Sequence, residues 1–77
     1  MSRLRYVATT DSGGVVRRSS SRVYTHAVCW RYVGGEMWHA TWCGSHELAL
    51  RKYRQMLSTS TVGYERVSVQ IVEAVAV

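Results

Sequence analysis

Gly34 and Gly35 sit between two runs rich in β-branched and aromatic residues, VYTHAVCWRYV (Val23 to Val33) and EMWHATWC (Glu36 to Cys43). Such runs form strands, and a two-residue Gly-Gly link supplies the positive φ angles of a type I′ or II′ hairpin turn. This pair constrains the fold more than any other feature, because it sets Val33 opposite Glu36 and fixes every further pair by counting outward. One face then holds Ala27, Cys29, Arg31 and Val33 with Glu36, Trp38, Ala40 and Trp42. The other holds Tyr24, His26, Val28, Trp30 and Tyr32 with Met37, His39, Thr41 and Cys43. The small residues Ala27, Cys29 and Ala40 suit a helix lying close above them, with Trp38 and Trp42 filling the gaps. That face is expected to be the core, and the opposite face an exposed aromatic and histidine surface.

The flanking segments complete the pattern. LRYVATT is β-rich, DSGG (Asp11 to Gly14) is a turn cluster, and VVRRS reads as a short return strand ended by SSSR. After Cys43 the period changes. With Ser45 as N-cap, Ala49, Leu50, Tyr53, Met56 and Leu57 fall on one side of a helix, while Glu47, Arg51, Lys52, Arg54 and Gln55 occupy the other. Leu48 alone breaks the stripe. STSTVG stops the helix, and YERVSVQIVEAV alternates Val67, Val69 and Ile71 against Arg66, Ser68 and Gln70 as a final strand. The expected fold is α+β, an antiparallel sheet of about four to five strands in ββββαβ order with one helix packed on one face.

At 77 residues the chain suffices for one small domain, 1–77, in which only ~60% of the unfolded surface is buried. Hydrophobic residues at 47% against 19% charged mark a globular former. Two cysteines fall short of a disulfide framework, and MSRLRYVATT lacks the apolar core of a signal peptide, so a reducing, cytoplasmic setting is expected. No apolar run approaches the ~18 residues of a membrane span. The net charge of +5 favours polyanions and acidic protein surfaces.

His26-Ala-Val-Cys29 and Cys43-Gly-Ser-His46 mirror each other and invite a metal reading. On a strand, however, residues three apart point to opposite faces, so His26 and Cys29 diverge and no metal or other cofactor is expected. A cluster of His26, Cys43 and His46 is the arrangement that stays open. The same divergence argues against a Cys29 to Cys43 disulfide. Cys43 and His46 at a helix start could form a thiolate-imidazole pair, but no orienting third group or oxyanion arrangement accompanies them. A non-enzymatic protein without catalytic residues is expected.

Arg17, Arg18 and Arg22 flank a serine run that suits phosphate contacts, and an aromatic sheet face beside basic loops is one way single strands are held. Arg3, Arg5, Arg51, Lys52 and Arg54 add charge elsewhere. The stretches RRSSSRVYTHAVCWRY, MWHATWCGSHELALRKYRQ and VSVQIVEAV resemble the small uncharacterised proteins of actinobacterial phages. That resemblance implies a small phage protein acting in the host cytoplasm by binding a host component. The expected function is therefore binding to a host protein, or self-association as a homodimer, through Tyr24, His26, Trp30, Tyr32, Met37 and His39. Direct nucleic-acid binding, with Arg17, Arg18 and Arg22 on phosphates, is the alternative.

Overall fold

The computed structural model describes residues 3–59 and 65–77. The elements are β1 (Leu4–Thr9), β2 (Val15–Ser20), β3 (His26–Tyr32), β4 (His39–Cys43), α1 (His46–Ser58), β5 (Arg66–Glu73) and β6 (Val75–Ala76). The chain is α+β with antiparallel pairing throughout, as its residue pattern predicts. Instead of one sheet, the strands form two sheets of three, ordered β2-β1-β6 and β4-β3-β5. The last strand changes sheets. It pairs with β3 as far as Glu73, bends at Ala74, whose N–H donates to the Thr25 carbonyl at 3.0 Å, and pairs with β1 as β6.

The hairpin register is the expected one, with His26 opposite Cys43 and Trp30 opposite His39. The two-residue turn is not. Pairing between β3 and β4 stops at Trp30 and His39, and a hydrogen bond from Gly35 N–H to the Tyr32 carbonyl (2.9 Å) closes a turn in which Gly34 has φ +78°. Beyond that pair β3 continues with β5, and Val33 donates to the Glu65 carbonyl at 2.9 Å.

The two faces of the hairpin are covered in the reverse of the expected way. Ala27 and Cys29 pack with Ala8 of β1, flanked by Val16, Trp38, Ala40, Trp42 and Val72, so their small side chains admit the second sheet. The helix covers the other face, where Val28 and Cys43 meet Ala49, flanked by Tyr53, Met56, Val69 and Ile71. Here the residue that permits close approach is Ala49 on the helix. Both hairpin faces carry apolar side chains, so both need cover. The predicted open aromatic face is accordingly closed at its centre, and Trp30 is only 9% exposed.

Ser45 is the N-cap, accepting from Leu48 N–H at 3.2 Å. The inward stripe is narrower than the sequence predicts: Ala49, Tyr53 and Met56 face the sheet, Leu50 is half-buried, and Leu57 is 59% exposed. The helix ends at Ser58 with Thr59 as C-cap. The rest of the expected STSTVG stop, and the expected strand start at Tyr64, lie outside the described residues. In β5 the alternation is interrupted between the Cys29–Gln70 and Arg31–Val67 pairs by a register shift, and Ser68 there takes φ 56°.

Candidate anion-binding groove

The aromatic residues gather at two ends of the hairpin. At the turn end, Trp30 stacks on His39 with ring centroids 5.7 Å apart, and Tyr32 meets His39 edge-on at 4.9 Å. The Arg66 guanidinium lies over Trp30 at 5.7 Å. Met37 stands apart from this cluster and is 73% exposed. Of the residues expected to form one binding face, Trp30, Tyr32 and His39 are thus packed on each other, while Tyr24 and His26 lie at the far end.

At that far end Tyr6, Tyr24 and Trp42 form a second cluster, with centroid separations of 5.3, 6.3 and 6.1 Å. Tyr6 belongs to the inward row of β1 and is buried; its hydroxyl donates to the Arg22 carbonyl at 2.9 Å and accepts from Tyr24 N–H at 3.2 Å. One hydroxyl therefore fixes the backbone on both sides of Val23. The Arg18 guanidinium reaches over the Tyr24 ring at 5.7 Å. A hydrogen bond with the Ser20 side chain, helped by the Arg18 and Arg22 charges against an opposing desolvation, lowers the Tyr24 phenol below its ordinary pKa.

Next to this cluster a groove of about 450 Å³ follows β4, with Tyr24, Thr41, Trp42 and Cys43 along it. Arg22 borders it from the segment before β3, and Leu48, Arg51, Lys52 and Gln55 border it from α1. The helical spacing 48, 51/52, 55 is a second stripe, turned toward the groove, and it accounts for Leu48 breaking the apolar pattern. A second concavity of about 360 Å³, on the outer side of the β1–β2 pair, is lined by Arg5, Arg17, Arg18 and Ser19 among others. Arg18 belongs to this concavity and touches Tyr24 of the first, so the two adjoin. Together they hold Arg5, Arg17, Arg18, Arg22, Arg51 and Lys52, six of the ten basic residues. No Asp or Glu among the described residues lines either one.

No family model, curated protein or solved structure matches this chain. The site is therefore read from its own chemistry.

The candidate metal and thiol chemistry is placed as follows. His26 faces Cys43 across the strand pair, and its ring meets that of His46 edge-on at 5.2 Å. Among the described residues no group of three metal-ligating side chains converges. Burial pushes the Cys43 thiol up against the opposing Lys52 charge, and Cys29 is pushed up to about 11 by burial alone. Neither is the lowered thiol that a nucleophile needs. Both cysteines are free, and they sit in the cores on opposite faces of β3 and β4. No described helix is long and apolar enough to cross a membrane.

Sequence reasoning named Arg17, Arg18, Arg22 and Tyr24 of this region and missed Trp42, Arg51 and Lys52. Trp42 looked like core and the two cations like a solvated helix face. The signal available was Leu48, whose misfit marked a second side of the helix with its own surroundings.

Proposed function

We propose that this is a non-enzymatic nucleic-acid-binding protein that holds the phosphate backbone along the band from Arg5 and Arg17 through Arg18 and Arg22 to Arg51 and Lys52. The observation that carries the reading is the segregation of charge: two adjoining concavities with six cations and no Asp or Glu among the described residues of their linings. Such a surface gains affinity by releasing counterions from a polyanion. In the setting implied by the phage resemblance, the ligand is host or phage nucleic acid in the host cytoplasm.

Fluorescence anisotropy with a labelled oligonucleotide tests it. Affinity should fall linearly with salt on a log-log plot, and Arg18→Ala or Arg22→Ala should each reduce the slope by about one unit. Absence of binding at low salt, or slopes unchanged in both variants, refutes the proposal.

A second reading is favoured by apolar residues that share the outer face with Arg5 and Arg17. The outer side of the β2-β1-β6 sheet carries Val7 with the exposed Val15, Val75 and Val77, an apolar patch that suits a host protein or a second copy as a homodimer. Sedimentation at several concentrations, alone and with Val75→Asp, distinguishes a self-associating protein from a monomer.

A further inference from the structure

We infer that the groove beside β4 seats an unpaired nucleotide of a single strand, its base against Tyr24 and Trp42 and its flanking phosphates on Arg22, Arg51 and Lys52. This rests on the nucleic-acid reading above and adds the form of nucleic acid recognised. A duplex turns its bases inward and offers phosphates to a protein surface, for which an open strip of cations suffices. The groove is more than a strip. It is a half-open concavity of about 450 Å³ with two half-buried aromatic rings in its lining.

The arrangement is built for stacking. Tyr24 is held through its backbone by the Tyr6 hydroxyl and through its ring by Tyr6 and Trp42, so the aromatic surface is ordered before a base arrives. The cations approach from two sides of β4, because the segment holding Arg22 enters from the second sheet and α1 lies on the opposite face. A backbone crossing the edge of β4 meets a positive charge before and after the aromatic pair. Base-aromatic stacking with cations tracking the backbone is how single strands are held without sequence preference. An acidic peptide would satisfy the cations but leave the two rings unused.

The test compares a labelled oligothymidylate with a duplex of equal length by anisotropy at one salt concentration, using the full chain. The single strand should bind more tightly. Tyr24→Ala should weaken single-strand binding about 5- to 150-fold, the worth of one stacked base, and duplex binding by less. Lys52→Ala should also weaken it, whereas Arg54→Ala, which removes the same charge outside the groove, should not. Circular dichroism melts confirm that each variant is folded, and Lys52→Ala keeps the test alive if Tyr24→Ala unfolds. Equal affinity for both forms, or Tyr24→Ala and Lys52→Ala both without effect, overturns the inference and leaves the nucleic-acid reading standing. Binding of neither form overturns both. Polyglutamate competing as well as an oligonucleotide of equal charge assigns the groove to acidic peptides instead.

Discussion

Tyr6 connects core and groove through a single oxygen. Its ring is 2% exposed, and its hydroxyl serves the Arg22 carbonyl and the Tyr24 N–H together. Tyr6→Phe keeps the packing and leaves both backbone groups without that partner. Both groups are only partly buried and can turn to water, so the loss is that of the hydrogen bonds themselves, about 0.5–1.5 kcal/mol, and urea unfolding should show it. The loop between β1 and β2 has a comparable constraint at Gly14, where an added Cβ would overlap the Trp38 indole. Gly13, with φ +88° and open space around it, is there for its backbone conformation alone.

At the level of elements, β5 shows where a strand departs from its simple alternation. Ser68 occupies left-handed backbone at φ 56°, at the register shift against β3, a conformation that costs an ordinary residue roughly 1–2 kcal/mol and glycine almost nothing. Ser68→Gly is exposed and should leave stability equal or raise it by up to about 1 kcal/mol in thermal melts, where the same change in a regular strand lowers it. The sequence could not announce this bulge, because serine stands where glycine is the usual signal. The Ser45 cap was legible because it depends on neighbouring residues alone, and the hairpin register holds although the two-residue turn from which it is counted does not form. Which face of the hairpin the helix covers was not legible, since both faces are apolar and Ala27, Cys29 and Ala49 all permit close approach. The groove was only half legible for the same reason. Tyr24, Arg18 and Arg22 stand close together in the chain, but Trp42, Arg51 and Lys52 join them only once the helix lies against the correct side.

For the whole molecule the governing feature is the strand that serves both sheets. The alternation of Val67 to Ile71 suggested one continuous ladder, and nothing in the residue types marks the bend at Ala74. That bend is held by the bond from Ala74 N–H to the Thr25 carbonyl. Ala74→Pro removes the donor and should cost at least about 1 kcal/mol. Because β5 and β6 are covalently continuous, tryptophan fluorescence and far-ultraviolet circular dichroism should report the same midpoint. A sheet that melts separately would show two.

The same strand has a consequence for how the chain comes together in time. β1 finds a partner in β6 and β3 finds one in β5, so neither sheet is complete while the final strand is missing. On a ribosome the first two hairpins emerge with an edge waiting for residues still unmade, and closure across nearly the full length is needed before those contacts reward it. Refolding should accordingly fall in the slow, millisecond-to-second range of proteins dominated by distant pairings, and the nascent chain is most vulnerable to pairing with another copy in the interval before β5 and β6 emerge.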